Sequence, residues 1–547
     1  MSILSSLSKG FRPYFIIIAL IFAYATMPAL KLQPLDRDES RFMQATTQMF
    51  ESHDFVRISF QDEPRNKKPV GIHWLQALSV EAFGAVGERN PFPFRMVSLL
   101  GASLAACAVF MIGKKLFSAE VGLVAGVANA VTLLLSTEAH IAKTDATLTG
   151  FIALSFYALA ALRFGEKSLW KVILFWFAFG MAFLIKGPVP LMIIGLAIIV
   201  FSLWDKNWNW QKPIWDPRGL LLFAVMILPW FILIGLKTNW QFYTDAISQD
   251  LTPKLSGHAE TKSTPPGLHL LLSPLLLYPS SILMGFAAWV GFTKNTDARV
   301  KFLLAWLIPA WIIFELSPAK LAHYTMPLHG AILLLGAYGL FENGFKGWQK
   351  WLGICLFTFA SLFVVALPIA LVYKDMPKMM PSATILSGII GIGSLSALLL
   401  FVINSKYSGV MAIFTALMFS VLFKGQFLPN VPALDVSGRV SNQLAALNLH
   451  PRLSQGGKLP PLVGAGYQEP SLIFLTRTDS KLDSVDNAVK FAQIGAPAII
   501  EDALKDEFTT KLNANGLKFD EIGNPVSGLN YSKGDKVTIH IGRIDKK

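Results

Sequence analysis

The sequence predicts an α-helical polytopic membrane protein that ends in a small α/β soluble domain. Hydrophobic residues make up 53% of the 547 residues and charged residues only 15%, against roughly 25% charged in ordinary globular domains. About thirteen apolar segments follow one another as far as residue 425, and beyond about residue 430 charges, Pro and Gly return. This composition excludes a disordered chain, a collagen and a disulfide scaffold.

The apolar segments have the length of membrane spans. A helix needs about 20 apolar residues to cross the hydrocarbon core of a bilayer. The mean hydropathy of the whole chain, +0.49, agrees with many such crossings. We predict about thirteen transmembrane helices, at 13–30, 92–112, 119–136, 146–163, 170–186, 188–204, 219–236, 268–292, 300–315, 322–341, 351–373, 383–403 and 408–425.

The distribution of Lys and Arg predicts the orientation of the chain. With the N-terminus in the cytoplasm, the inner segments carry sixteen Lys and Arg residues and the short outer loops carry eight. This is the bias that the positive-inside rule describes. The net charge of +13 is scattered over these loops and forms no basic block among exposed aromatics, so we expect membrane lipids and no nucleic acid as partners.

The change of composition near residue 430 predicts two domains. We expect a transmembrane domain over 1–428, with an outer-side first loop at 31–91, and an outer-side α/β domain over 429–547. In the last of these, short apolar runs such as 471–475, 498–500 and 537–541 alternate with polar, helix-like stretches. That alternation is typical of a small α/β domain.

Ionisable residues near membrane depth collect on the outer side of this topology. Such residues are costly in a bilayer and usually mark a site or a pathway. Their collection on one face predicts a single outward-facing cavity. The residues concerned are Asp36, Asp38, Glu39, Arg41, Lys67, Lys68, Asp145, Lys186, Asp250, Lys254, His258, Lys320 and His323.

The first loop carries the strongest signals. Asp38 and Glu39 begin a segment whose apolar residues recur at helical spacing as far as Phe50, which predicts a helix on the membrane surface. Asp38 is either the N-cap of this helix or a general base at the mouth of the membrane. Lys68 precedes Pro69 at the start of a second helix, where it either binds a phosphate or reaches the headgroups.

Later outer loops add further candidates, each with a structural alternative. Asp145 begins a span and is either a cap or a site carboxylate, and Lys186 ends a span and either reaches the headgroups or binds an anion. Lys320, His323 and Tyr324 lie at near-helical spacing. Lys254 and His258 are weaker candidates, and His323 alone is more often a structural histidine. No metal-binding spacing such as HExxH is present; only Asp38 and Glu39 with a distant histidine leave a divalent metal open, and we expect no cofactor.

These motifs resemble the family of aminoarabinose lipid A transferases and protein O-mannosyltransferases, which are membrane glycosyltransferases of the GT-C fold. The family pattern reads D-E-x-R-[YF] and then E-K-P-x-x-x-[YW]. The matches run in family order from about residue 36 to 330. They are Asp38-Glu39-Ser40-Arg41-Phe42, Lys68-Pro69 with Trp74, Thr144-Asp145, Ile185-Lys186-Gly187, Leu228-Pro229-Trp230 and Ser317-Pro318-Ala319-Lys320-Leu321 with Tyr324 and Pro327.

The chain departs from the family pattern at one informative position. The family's E-K-P is Lys67-Lys68-Pro69 here, so a basic residue replaces an acidic one. Any metal or acceptor contact that the glutamate makes in the family is therefore in doubt for this chain. This departure leaves open whether the donor sugar and the acceptor are aminoarabinose and lipid A.

The resemblance implies a glycosyltransferase of the bacterial inner membrane, with the C-terminal domain in the periplasm. The donor would be a sugar on a polyprenyl phosphate, and the acceptor lipid A or another envelope glycolipid. Asp38, Glu39 and Asp145 would be catalytic, with inversion at the anomeric carbon. Candidates for the donor phosphate are Arg41, Lys68, Lys186, Lys320 and Tyr324, and Lys254, His258 and His323 would lie near the acceptor or have a role that the sequence does not assign.

Two alternatives stay open at this point. The acceptor could be a protein hydroxyl instead of a lipid, with the same class of donor. A transporter or flippase for a lipid-linked solute would also have many spans and charges at membrane depth. Against the transporter, the two halves show no internal repeat, and the charges gather on one face instead of at the bilayer midplane, where transporter sites usually lie.

Overall fold

Long apolar helices make up most of the structure, a computed structural model that describes residues 3–165, 168–253 and 264–547. Within those residues, nine helical segments are long and apolar enough to cross a membrane. They are Arg12–Lys31, Pro91–Leu116, Asp145–Arg163, Leu169–Lys186, Pro217–Lys237, Ala322–Asn343, Gly347–Val372, Pro377–Val402 and Ser408–Asn430. The predicted fold class, a polytopic helical membrane protein, is confirmed.

The four other predicted spans coincide with helices that are shorter or more highly charged. Ala119–Ala130 and Pro188–Trp204 are short apolar helices, and the segment 268–292 divides into Leu268–Leu276 and Ile282–Thr293. Ala298–Leu316 is long enough, but its sequence includes Arg299, Lys301 and Glu315. Further helices are Ile3–Leu7, Arg37–Ser52, Gly71–Ala82, Leu133–Glu138 and Gln241–Asp245.

The chain divides into two compact units. The first comprises Met1–Ala29, Arg65–Leu75 and Arg95–Gln426, and the second comprises Leu30–Pro64, Gln76–Phe94 and Phe427–Lys547. Most of the predicted first loop thus groups with the C-terminal segment, whereas the short stretch that carries Lys68 groups with the long helices.

Small residues let helices of the first unit approach closely. A Cβ atom added to Gly285 would lie 2.1 Å from the carbonyl oxygen of Gln349, and one added to Gly353 would lie 2.3 Å from that of Ile282. The helices Ile282–Thr293 and Gly347–Val372 therefore pack backbone against backbone. Such contacts replace the hydrophobic driving force that is missing between helices in lipid.

The second unit contains a six-stranded mixed sheet. Its strands are β3 Val463–Ala465, β4 Lys481–Asp483, β5 Pro497–Glu501, β6 Leu517–Glu521, β7 Val526–Leu529 and β8 Lys536–Lys546, after a short first-loop hairpin of β1 Ser59–Phe60 and β2 Glu63–Pro64. The order is β4-β3-β5-β8-β6, with β7 also paired to β8. The strands β4, β3 and β5 are parallel, and β8 is antiparallel to its neighbours. The predicted α/β architecture of the tail is confirmed.

Both faces of this sheet are covered. Ile539 and Ile541 of β8 pack with the helix Val436–Ala446, whereas Ile544 belongs to the cluster that includes Phe508 of the helix Lys505–Ala514. Two shorter helices, Pro470–Leu475 and Val485–Lys490, complete the unit. The apolar run at 471–475 is therefore helical.

A buried histidine holds a turn of the second unit. The Nδ1 atom of His450 accepts hydrogen bonds from the backbone N–H groups of Arg452 and Leu453, both at 3.2 Å, and its Nε2 lies 3.3 Å from the Ser441 hydroxyl. An Nδ1 atom that accepts cannot carry a proton, so this geometry needs the neutral ring. Burial, with a smaller effect of Arg452, lowers the pKa of His450 to about 4.

We expect the stability of this unit to fall as the pH drops from about 6.5 to about 4. The unfolded histidine binds its proton near pH 6.5, whereas the folded one resists protonation until about pH 4. The stabilisation is therefore complete above the unfolded pKa and is lost toward the folded one, by about 2–3 kcal/mol. Across this range the melting temperature should depend less on pH in His450→Gln than in the wild type. The surface variant His53→Gln is the control and should follow the wild type. Equal dependence of the melting temperature on pH in His450→Gln and the wild type would contradict this assignment.

Candidate active site

A buried ion pair joins the ends of two long helices. Asp145 is the first residue of Asp145–Arg163, Lys186 is the last residue of Leu169–Lys186, and the Lys186 ammonium donates a hydrogen bond to Oδ1 of Asp145. The N-cap position belongs to Thr144, so Asp145 is not the cap that the sequence left open. Burying both charges carries a desolvation cost that good geometry only partly offsets. Such a pair at membrane depth is typical of a functional site.

His323 lies beside two buried carboxylates. Its Nε2 is 3.8 Å from Oδ2 of Asp145, and its Nδ1 is 4.0 Å from Oε1 of Glu138. The ammonium of Lys143 lies 3.4 Å from the same Glu138 oxygen. The sequence-predicted Asp145, Lys186 and His323 thus converge with Glu138 and Lys143, two residues that the sequence analysis did not select.

The segment after Lys68 approaches this cluster along a tight helix contact. A Cβ atom added to Gly71 would lie 2.8 Å from the backbone carbonyl carbon and oxygen of Leu184, so only glycine lets the two backbones pack at this point. The contact brings Lys68 into electrostatic range of His323. Tyr324 packs edge-on against His323 with ring centroids 5.3 Å apart, and the Lys186 ammonium lies 5.7 Å from the Tyr324 ring.

The cluster therefore combines a carboxylate acceptor with several cations in a largely buried setting. Lysine ammonium groups neutralise phosphate oxygens, and they do so more effectively in a low-dielectric site than in water. The aspartate and the histidine offer a place for a proton or a sugar hydroxyl. This combination suits the transfer of a group from a phosphate-bearing donor.

Lys320 braces a loop in the structure. Its ammonium is buried and donates hydrogen bonds to the backbone carbonyls of Thr264 at 2.7 Å and Ser317 at 2.6 Å. These contacts close the connection that precedes the short helical turn Ala322–Thr325. Lys320 therefore fixes the segment on which His323 and Tyr324 are carried.

The first-loop candidates Asp36, Asp38, Glu39 and Arg41 belong to the second unit. Asp36 is the N-cap of the helix Arg37–Ser52, because its Oδ1 accepts hydrogen bonds from the backbone N–H groups of Asp38 and Glu39 at 2.8 and 3.0 Å. The capping role considered for Asp38 thus belongs to Asp36. Asp38 keeps a carboxylate with 43% of its side chain exposed, 3.6 Å from the Arg41 guanidinium, whereas Glu39 is buried.

Two candidates, Lys254 and His258, lie outside the described residues. Within the described ranges, no group of three or more His, Cys, Asp or Glu side chains is arranged to hold a metal ion. Glu138 carried the same sequence signal as Asp145, an acidic residue at the end of an apolar segment. It could have been selected on that ground, but its pairing with Lys143 and His323 appears only in three dimensions.

The chain has the fold of the GT-C membrane glycosyltransferases. ArnT from Cupriavidus metallidurans, in its crystal structure bound to undecaprenyl phosphate, aligns with a TM-score of 0.75 over 96% of this chain and 97% of that one, at 18% identity. In sequence, residues 67–233 match the family model described as dolichyl-phosphate-mannose-protein mannosyltransferase. The resemblance predicted from the motifs is confirmed.

Two relatives give the extent of the sequence similarity. An undecaprenyl phosphate-alpha-4-amino-4-deoxy-L-arabinose arabinosyl transferase of Pseudomonas aeruginosa is 26% identical over 312 residues, which is 56% of this chain and 55% of that protein. An uncharacterized protein of Aquifex aeolicus is 26% identical over 302 residues, or 55% of this chain and 67% of that protein. The alignment thus spans about half the length of the transferase.

Proposed function

We propose that this protein is a glycosyltransferase that moves a sugar from a polyprenyl-phosphate donor to a lipid acceptor, either lipid A or another envelope glycolipid. The observation that carries the proposal is the buried Asp145–Lys186 pair with His323 beside it, in a chain with the GT-C fold. Further support comes from the similarity to an undecaprenyl-phosphate-dependent arabinosyl transferase.

The proposed mechanism is a single displacement at the anomeric carbon. Asp38 takes the proton of the acceptor hydroxyl, Glu39 shapes the site, and Asp145 holds the sugar or the acceptor. As the bond to the donor breaks, negative charge grows on the phosphate, and positive side chains stabilise that charge. The cations proposed for this role are Arg41, Lys68, Lys186 and Lys320, and the neutral hydroxyl of Tyr324 is proposed to donate a hydrogen bond to the same phosphate. An attack from the face opposite the leaving phosphate inverts the anomeric configuration.

The reaction is proposed to take place on the outer face of the bacterial inner membrane. The N-terminus would be cytoplasmic, residues 1–428 would form a transmembrane catalytic domain, and residues 429–547 would form a periplasmic domain. The excess of Lys and Arg in the predicted inner loops supports this orientation. Reporter fusions at Gly165 and Lys547 test it, since we expect cytoplasmic signal from the first and periplasmic signal from the second.

A protein acceptor is the second candidate. The match of residues 67–233 to the dolichyl-phosphate-mannose-protein mannosyltransferase model favours it. A protein hydroxyl would need the same general base and the same phosphate-binding groups. The two candidates therefore differ in the product and not in the donor chemistry.

The test is a mass-spectrometric assay on the purified protein. The protein in detergent receives a mixture of polyprenyl-phosphate sugars and total membrane lipid, and Asp38→Asn runs beside the wild type. We expect free polyprenyl phosphate and a new sugar-bearing lipid from the wild type, with a loss of about 10²–10⁴-fold in the variant.

The remaining outcomes separate the alternatives. Donor release without a glycolipid product, together with a glycosylated protein when membrane protein is added, would replace the lipid acceptor by a protein one. Wild-type turnover in Asp38→Asn would remove the general-base assignment. No donor consumption with any sugar would contradict the transferase.

A further inference from the structure

A second buried carboxylate, Glu138, lies in the active-site cluster without a role in the proposed reaction. It is the last residue of the helix Leu133–Glu138 and is only 5% exposed. Its Oε1 atom is 3.4 Å from the Lys143 ammonium and 4.0 Å from Nδ1 of His323. A carboxylate in this position must act on the charges next to it.

The helix that carries Glu138 is fixed from its side. The buried ammonium of Lys424 donates hydrogen bonds to the hydroxyls of Ser136 at 2.8 Å and Thr137 at 2.9 Å. Lys424 lies in the π-helical segment Phe419–Phe427, a geometry often found at functional sites. These bonds hold the end of the helix, so the Glu138 carboxylate has a defined place in the cluster.

Charges of both signs lie near Glu138. The titratable and charged groups in this part of the structure include Lys68, Arg95, His140, Lys143, Asp145, Lys186, His323, Tyr324 and Lys424. Within this set, Lys186 is hydrogen-bonded to Asp145 and Lys143 is ion-paired with Glu138. Asp145 thus balances the charge of Lys186, and Glu138 balances the charge of Lys143.

Lys143 is a potential competitor for Asp145, because the two residues are separated by only Thr144. Opposite charges attract strongly in a poorly solvated site. With the Glu138 charge removed, the Lys143 ammonium would be drawn toward Asp145 and would compete with Lys186 for it. Asp145 would then turn from its place beside His323.

We propose that Glu138 is a positioning residue that balances the charge of Lys143 and so keeps Asp145 paired with Lys186 and facing His323. The inference rests on the proposed function for its kinetic test. It extends that function by assigning the control of Asp145 to a residue outside the family motifs found in the sequence. The role acts through Lys143, so removing Lys143 should relieve the loss of Glu138.

The experiment compares Glu138→Gln, the double variant Glu138→Gln/Lys143→Met and the control Glu342→Gln with the full-length wild type. Glu342 pairs with Lys294 at 3.5 Å and is well exposed. With a polyprenyl-phosphate sugar as donor, we expect Glu138→Gln to lower kcat by about 10- to 100-fold, since small displacements of a catalytic group have effects of this size. The donor KM should change by less than about 3-fold, and the double variant should recover most of the lost kcat.

Three results would overturn the inference. One is a Glu138→Gln variant as active as Glu342→Gln. Another is a double variant no better than Glu138→Gln, because Glu138 would then act directly and not through Lys143. The third applies if Glu138→Gln fails to fold, in which case the double variant is compared with the wild type. A kcat of the double variant below about one hundredth of the wild-type kcat would then overturn the inference.

A second readout separates this inference from the proposed function. If the wild type consumes no donor, the transferase proposal fails, and the coupling is then read from melting temperatures. We expect Glu138→Gln to lower the melting temperature and Lys143→Met to restore it in the Glu138→Gln background. Additive effects of the two substitutions would refute the coupling without bearing on the reaction.

Discussion

Replacing Asp145 with asparagine is expected to lower the activity by at least about 10²-fold and to destabilise the first unit by about 3–5 kcal/mol. The substitution keeps the shape of the side chain and removes its charge. The Lys186 ammonium, which donates to Asp145, then stays in a buried site without its counter-charge. Breaking one side of a buried pair has a larger effect than removing the whole pair, because it leaves an uncompensated charge.

The double variant Asp145→Asn/Lys186→Met distinguishes a structural pair from a catalytic one. We expect it to recover most of the melting temperature of the wild type, since neither charge is then buried. Its activity should stay as low as that of Asp145→Asn, because both functional groups are gone. Recovery of activity together with stability would show that the pair is only structural, and Glu342→Gln, at an exposed pair, should change the stability by less than about 1 kcal/mol.

The membrane architecture was predictable because its signal is local. A bilayer requires runs of apolar residues of fixed length, and such runs are visible in the sequence wherever helices such as Gly347–Val372 occur. The break between Leu276 and Ile282 was missed because both halves are apolar, although Pro279, Ser280 and Ser281 between them favour the end of a helix. Length and hydropathy therefore predict that a segment is buried in the bilayer, and they do not predict how many helices share it.

The site was predictable as a set of residues and not as a set of contacts. Asp145 and Lys186 stood out because ionisable groups near membrane depth are costly and usually mark a site or a pathway. Their pairing depends on how the helices Asp145–Arg163 and Leu169–Lys186 pack, which no local pattern reports. The bonds from Lys320 to the carbonyls of Thr264 and Ser317 likewise depend on the folded path of the loop.

The cap of the first-loop helix shows the same limit at short range. Asp36 and Asp38 are both residues that favour an N-cap position. The choice between them depends on the backbone, since Asp36 has the extended conformation of a cap with φ −122° and ψ 128°. Asp36 therefore caps the helix and Asp38 does not, and only the backbone angles distinguish the two aspartates.

Arg89 is expected to have the largest effect on the stability of the second unit. Its guanidinium is buried and donates hydrogen bonds to Gln44 at 2.7 Å, Glu51 at 2.5 Å and Thr478 at 2.6 Å, and to the carbonyls of Ile473 and Phe474. These bonds join the first-loop helix Arg37–Ser52 to residues 473–478. Burial lowers the pKa of Arg89, and Glu51 opposes that effect, so the charge is kept by its partners.

Replacing Arg89 with methionine should therefore destabilise this unit by about 3–5 kcal/mol, because it leaves the Gln44 amide oxygen and the carbonyls of Ile473 and Phe474 without their guanidinium donor. The stability of Arg89→Lys should lie between that of the wild type and that of Arg89→Met, since an ammonium cannot reproduce the planar fork of the guanidinium. The matched control is Arg57→Met, at an exposed pair with Asp54 in the same loop, where less than about 1 kcal/mol is expected. Melting curves and limited proteolysis of the first loop measure the difference. An Arg89→Met variant with the same melting temperature as Arg57→Met would show that the cluster of hydrogen bonds around Arg89 does not hold the first-loop helix in place. If the cluster does hold it, activity should fall with stability, because Asp38 is carried on the same helix.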